Sequence, residues 1–413
     1  MDTSRYFWNS PSDTDENEAK DGQINLEPVR LGFVGLGLMG GASLERFLDL
    51  PASVVALCDV DQERLESAAQ LVATRSGEAK SRRYADFRAL CADPDVEAVV
   101  VSTPDHWHVD IAVAAMKHGK DVYVEKPLSL TISGGRRLAD TAEREGRIVQ
   151  TGSQQRSSQE FRRAAELVRN NRLGRLREIL VTLPPNNIDP PQLSSSPIPD
   201  GFNHEMWLGP APWREYHREL CHYNFRFISD YSGGQMTNWG AHHLDIVQWA
   251  LDMDSSGPVE IAGTGTFHPS GPFDTATSVD IRYRYANGVS VRCMTGTGQT
   301  GIEFRGEEGT VWVGRGKLES VPESLLHQEP DSAAVRLPTS DNHYLNFLQA
   351  VRTRDAPVAP AEIGHRSATV CHLGNIAVKL GRTLIWDPDR EEFPGDAEAN
   401  RFRSRTARSW EQE

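Results

Sequence analysis

Cysteine is scarce in this 413-residue chain. The five present, Cys58, Cys91, Cys221, Cys293 and Cys371, are scattered, odd in number and form no CxxC pair. That excludes the spacing of a zinc site or a disulfide framework and fits a reducing compartment. Positive charge is short as well. With 44 Lys and Arg against 58 Asp and Glu the net charge is −14, which argues against nucleic acid as a partner. No apolar run reaches the roughly 18 to 20 residues a membrane span needs, so no membrane partner is expected either. The opening stretch, MDTSRYFWNSPSDTDENEAKDGQ, is polar and acidic and has no apolar core of the kind a signal peptide carries. Residues 1–27 are expected to be a flexible extension, and the cytoplasm is the expected location.

What is present is an ordinary globular composition, 38% hydrophobic and 25% charged, long enough for two or three domains. From residue 29 the apolar runs VRLGFV, SVVALCDVD, VEAVVVSTPD, DVYVEKP and RIVQTG are separated by helix-like stretches such as DQERLESAAQLVATR and HVDIAVAAMKHG. Strands alternating with helices of 10 to 15 residues predict an α/β fold with a doubly wound parallel sheet over 28–152. The pattern then changes. After a helix-like SSQEFRRAAELVRNNRLG and a Pro- and Ser-rich loop at 184–201, TSVDIRYRYANGVSVRCMTG alternates strictly, with Val279, Ile281, Tyr283 and Tyr285 on one face. Its Asn287-Gly288 pair is a hairpin signal. Residues 153–385 therefore read as an α+β domain with a largely antiparallel sheet, and 386–413 as a C-terminal tail.

Gly35, Gly37 and Gly40 form GxGxxG directly after a strand and before a helix, with Leu38 and Met39 inside it. Asp59 ends the next strand, about 20 residues on, where a ribose-binding acid stands in dinucleotide folds. Such glycines permit a tight turn and let a pyrophosphate approach the helix N-terminus, whose amides favour anions. A carboxylate at Asp59 would repel a 2′-phosphate, so NAD is favoured over NADP. VSTPDHWH and VYVEKPLSL each start at the carboxyl end of an expected strand, where open α/β sheets bind ligands. Glu125 and Lys126 would project there, although a surface ion pair before a turn proline explains them equally well. His106 and His108 have no further ligand beside them to complete a metal set, and no metal is expected. In SGGQMTNWGAHHLDIVQW, Asn238, His242, Asp245 and Trp249 fall on one stripe at about 100° per residue, with His243 off it. That stripe is either a site or a satisfied core histidine.

GLGLMG, CDVD, STPDHWH, EKP and GG…GAHHLD, in this order, resemble the glucose–fructose oxidoreductase/inositol dehydrogenase (Gfo/Idh/MocA) family, over about residues 29–385. MWLGPAPWREY, NFRFISDYSGG and GHRSATVCHLGNIAVKLGRTLIWDP resemble a subgroup of bacterial carbohydrate-catabolic members. The resemblance implies that Lys126 contacts substrate beside the nicotinamide and that Glu125 lies near the nicotinamide ribose. It implies that Thr103 and Pro104 line the cofactor, with Trp107 and His108 next to them, and that His242 is the acid/base. The family usually has aspartate four residues before that histidine, and this chain has Asn238. The amide is expected to orient the imidazole without charging it. Gln155, Arg156, Tyr223 and Arg226 are candidate substrate contacts. The implied activity is NAD-dependent oxidation or reduction of a secondary hydroxyl of a sugar, sugar derivative or cyclic polyol. Redox-assisted glycoside cleavage is a rival with the same residues, and a non-catalytic NAD-binding regulator is a third reading. Relatives pair through the open face of the second sheet, which implies a homo-oligomer, dimer or tetramer.

Overall fold

Valine-rich runs that stay apolar at successive positions suit strands covered on both faces, and in the computed structural model they pair as a parallel sheet. The structure describes residues 26–76, 81–328 and 333–409. The extension expected over 1–27 lies outside the described residues apart from its last two. The first body runs β1 (Val29–Val34), α1 (Leu38–Leu48), β2 (Ala52–Cys58), α2 (Gln62–Ser76), β3 (Arg82–Tyr84), α3 (Phe87–Ala92), β4 (Ala98–Val101), α4 (Asp105–Lys117), β5 (Asp121–Val124), α5 (Ile132–Glu145) and β6 (Val149–Thr151). Its strand order is β3-β2-β1-β4-β5-β6, parallel throughout. This is the doubly wound sheet that the alternation predicts. β4 and β5 are buried at every residue. The strand order reverses between β1 and β4, so the crevice outside their carboxyl ends is the place where such sheets take ligands.

The second body contains α6 (Gln159–Arg169), β7 (Leu176–Leu183), α7 (His204–Leu208), α8 (Gln235–Asn238), α9 (Gly240–Ala250) and β8 (Pro258–Thr266). It continues with β9 (Ser278–Tyr285), β10 (Ser290–Thr295), β11 (Gly301–Gly306), β12 (Thr310–Gly314), β13 (Lys317–Val321), α10 (His343–Thr353), α11 (Ala361–Leu380), β14 (Leu384–Ile385) and α12 (Ala397–Arg401). The sheet order is β13-β12-β11-β7-β10-β9-β8-β14; only β7 and β10 pair in parallel. The β9–β10 hairpin turns at Asn287-Gly288 and buries Val279, Ile281, Tyr283 and Tyr285. Asp280, Arg282 and Arg284 point to the open face, where Arg292 pairs with Asp280 and Arg284 with Glu260.

Helices α6, α9 and α11 cover the other face of this sheet, in one core that includes Phe161, Leu244, Val247, Ile281, Phe304 and Leu373. α10 behaves differently. Its Phe347, Leu348 and Val351 pack beneath the first sheet against Phe33, Phe47 and Tyr123, and each such burial contributes about 1.5–3 kcal/mol. A smaller aromatic core of Phe202, Trp207, Tyr216, Phe227, Tyr231 and Phe273 underlies the segment 200–231. Among the described residues, no helix is long and apolar enough to cross a membrane.

One expectation is corrected at this level. The stretch 235–250 is two helices with Trp239 between them, and α9 is buried at every residue. Trp239 keeps right-handed helical dihedrals (φ −84°, ψ −35°), and Asn238 and His242 both have Lys126 as a neighbour, whereas Asp245 meets Arg156.

Candidate active site

A cleft of about 1310 Å³ opens outside the carboxyl ends of β1, β2, β4 and β5. Gly35, Gly37, Leu38 and Met39 line one end of it. Gly35 has φ +86°, and a Cβ there would stand 2.8 Å from the Ser102 backbone. A Cβ on Gly40 would fall 2.0 Å from the Gly35 carbonyl oxygen. Gly40 is thus a packing position under the turn and does not line the cleft. α1 begins at Gly37 without a side-chain cap or an acidic residue in its first turn, so its leading amides face the cleft free of an internal anion. Asp59 stands beside them; Oδ2 accepts from the Leu36 amide at 2.6 Å and Oδ1 from that of Asp61 at 2.9 Å. Burial pushes its carboxyl above the usual range, against the pull of those two amides and of Arg64. Turn, uncapped helix and acid together fit a dinucleotide.

The second body closes over this end. The Gln62 amide donates to Gly201 O at 3.0 Å, the Asn203 amide to Val60 O at 2.8 Å, and Asp61 bridges to Phe202. His222, ring-packed on Phe202, reaches within 4.0 Å of Asp61. None of this roof is legible as a motif, because its sequence is the irregular chain on either side of α7.

The far end of the cleft gathers Thr103, Pro104, Trp107, His108, Glu125, Lys126, Tyr223, Arg226 and Asn238. His108 bridges the Thr103 and Pro127 carbonyls at 2.9 and 2.8 Å, tying the β4 and β5 loops together. Trp107 Nε1 donates to the Met206 and Trp207 carbonyls, which anchors α4 to α7. Glu125 is buried, and its carboxyl is pushed up to about 7 by desolvation against the pull of Lys126. Lys126 Nζ donates to Asn238 Oδ1 at 3.0 Å and lies 3.3 Å from Asn238 O. Desolvation brings its ammonium down to about 8, opposed by Glu125 and helped by Arg226. Tyr223 accepts from Asn187 Nδ2 at 2.9 Å through its hydroxyl.

Several sequence assignments change here. Asn238 bonds Lys126 and, through Nδ2, Gln235 Oε1 at 3.2 Å; the expected contact with the His242 ring is replaced by these. The amide belongs to the end of α8, and His242 to the start of α9, beyond Trp239. His242 does not line the cleft. It is 6% exposed, and its Nδ1 is buried with no partner among the described residues. Burial, with Lys126 and Arg315 nearby, holds the imidazole well below its usual pKa and so neutral. His243 lies in the core against Trp239 and Phe161. Arg156 is not a substrate contact: it is 1% exposed and bonded to Asp245 at 2.8 Å and Asp254 at 2.6 Å. The same Asp245 that the stripe offered as polar draws it beneath α9. Gln155 is buried outside the cleft, its amide atoms without partners among the described residues.

Two further charged residues went unassigned in the sequence. Asp105, first residue of α4, lines the cleft and accepts from Ser232 Oγ at 2.6 Å; a carboxylate opening a helix directly after a strand end was the available signal. Arg315, in the β12–β13 turn, stacks over Trp239 at 4.5 Å and reaches the surroundings of His242 from far along the chain. Nothing in the sequence marks it.

The family model described as "Oxidoreductase family, NAD-binding Rossmann fold" matches residues 29–153, and "Oxidoreductase family, C-terminal alpha/beta domain" matches 188–412. Both belong to the Gfo/Idh/MocA set. A curated relative, glycosyl hydrolase family 109 protein 1 of Bacteroides thetaiotaomicron, is 38% identical over 124 residues, which is 29% of this chain and 26% of the relative. The matched stretch thus spans about a quarter of that relative's length. The WlbA dehydrogenase of Bordetella pertussis, solved with NADH and UDP-GlcNAcA, superposes with TM-score 0.66 at 16% identity over 87% of this chain and 99% of that one. The aldose-aldose oxidoreductase of Caulobacter crescentus, solved with glycerol, gives TM-score 0.66 at 18% identity over 87% and 100%.

Proposed function

This chain belongs to the Gfo/Idh/MocA oxidoreductase family, with an NAD-binding Rossmann domain, and on that premise we propose that it oxidises or reduces a secondary hydroxyl of a sugar, sugar derivative or cyclic polyol. The observation that carries the reading is the Lys126 ammonium, held at the carboxyl end of β5 by Asn238 Oδ1 at 3.0 Å, inside a cleft whose other end fits a dinucleotide. When bound, NAD supplies the acceptor for the hydride leaving the substrate carbon. Lys126 positions the hydroxyl oxygen and stabilises the charge that grows on it as its proton departs. His242, kept neutral by burial and set behind the cleft lining, would take that proton at a ring nitrogen through a bridging water. Glu125 and the Thr103–Pro104 turn would hold the nicotinamide end of the cofactor, with His108 tying their two loops together.

A panel of sugars and polyols incubated with the protein and NAD tests the reading. A rise at 340 nm, from free NADH or from cofactor reduced while bound, is the expected result with at least one member. No absorbance change with any member, bound cofactor included, favours a non-catalytic binding protein. The likeness to a glycosyl hydrolase family 109 protein supports a second reading, redox-assisted glycoside cleavage, in which the hydride is returned and glycoside is consumed without net NADH. The open face of the second sheet, with its Arg292–Asp280 and Arg284–Glu260 pairs, is proposed as a homo-oligomer surface; a monomer mass by light scattering at micromolar concentration counts against it.

A further inference from the structure

Arg226 is a cation in the cleft whose charge the dinucleotide does not use. Its Nη1 donates to Tyr223 O at 2.9 Å, and the guanidinium lies over the Tyr223 and Phe225 rings at 4.5 and 4.9 Å. Five N–H donors belong to that group, and the Tyr223 carbonyl is the acceptor it finds among the described residues. Among those residues no carboxylate is ion-paired within 4.0 Å of its guanidinium or of the Lys126 ammonium; Glu125 Oε2 accepts only from the Lys126 backbone amide, at 3.3 Å. Stacking on two rings fixes the plane of the guanidinium, so its fork is presented ready-made to a planar or tetrahedral anion.

The position of that fork along the cleft decides what the anion belongs to. Arg226 acts electrostatically on Glu125, Lys126 and Asp105, all at the far end. The groups acting on Asp59 are Leu36, Asp61 and Arg64, without Arg226. The pyrophosphate expected at the N-terminus of α1 is therefore not its partner. An oxidised nicotinamide ring is itself cationic and repels a guanidinium. Asp105 is engaged by Ser232, and Glu125, pushed up to about 7, is a weak counter-ion at neutral pH. The substrate end of the cleft thus places the Arg226 and Lys126 cations near two buried carboxylates, Asp105 and Glu125, both of which burial pushes towards the neutral form.

We propose that Arg226 receives an anionic group, a carboxylate or a phosphate, carried by the substrate itself, while Lys126 holds the hydroxyl to be oxidised. This rests on the reading of the site as a sugar or polyol oxidoreductase and narrows its substrates to acidic ones. Calorimetry on the NAD-loaded full chain tests it, with glucuronate and galacturonate as carboxylate probes, glucose 6-phosphate as the phosphate probe, and glucose, galactose and myo-inositol as uncharged counterparts. At least one acidic probe is expected to bind about tenfold or more tighter than its uncharged counterpart. Arg226→Gln should erase that advantage while leaving NAD affinity as it was, and Arg226→Lys should restore part of it. Equal affinity for charged and uncharged probes overturns the proposal. So does an equal loss for both in Arg226→Gln, or the failure of every acidic probe to bind. Lack of NADH formation alongside a clear acidic preference would instead sink the dehydrogenase reading and leave the anion site standing.

Discussion

Asn238 Oδ1 takes its hydrogen bond from Lys126, so a carboxylate placed at 238 acts on the lysine before it acts on any imidazole. Lys126 sits at about 8 because burial disfavours its charge. If the ammonium is the working form, turnover is present below that value and lost as pH rises through it. Asn238→Asp should then carry the alkaline limb upward by about one unit, equivalent to about 1.4 kcal/mol of added ammonium stabilisation. The measurement is turnover against pH for both proteins with one substrate. A limb that rises through pH 8 instead of falling would make Lys126 the base. Lys126→Met and His242→Ala should each leave NAD affinity nearly intact and lower turnover by about a hundredfold or more; near-normal turnover in either removes that residue from the chemistry. For His242, set outside the cleft lining, that measurement is the stricter one.

At the scale of elements, α9 stays in place through the charge it buries. Asp245, fully buried, accepts from Arg156 and from Ser367 Oγ at 2.6 Å. Asp245→Asn leaves a guanidinium inside the protein short of a partner. It should cost about 3–5 kcal/mol, read as a lower denaturation midpoint, with turnover per folded molecule unchanged. A midpoint like the parent's would mean that Asp254 alone satisfies Arg156. This pair also marks how far the sequence could be read. Periodicity located most strands of the first sheet, the β9–β10 hairpin and the longer helices, since each is a local pattern, but it passed over β3, β8 and the short helices α3, α7 and α12. GxGxxG, Asp59, Thr103 and Lys126 were legible because a strand end fixes where the next residues point. What sits opposite a helix face is set by another part of the chain. Nothing at 245 announced Arg156, nothing at 238 announced Lys126, and Arg315 arrives from a turn between strands of the other sheet.

For the whole molecule, the decisive feature is that the two bodies do not meet only side by side. The segment running through Gly201, Phe202 and Asn203 is stitched to Val60, Asp61 and Gln62 by backbone bonds across the adenosine end of the cleft. α10 ties the same first sheet from beneath. That seam covers one side of the cleft beside Asp59, and we expect it to slow nucleotide exit enough that NAD behaves as a prosthetic group with a long residence time. Protein passed through gel filtration should still release nucleotide on acid treatment, and Phe202→Ala, which loosens the seam, should release it on the column. Prompt exchange with labelled free NAD in the parent protein would show that the seam opens freely. A resident cofactor changes what a catalytic cycle is. If the predicted residence holds, the reduced molecule would have no outside pool to discharge into and would wait, loaded, for a carbonyl to enter the same cleft and take the electrons back.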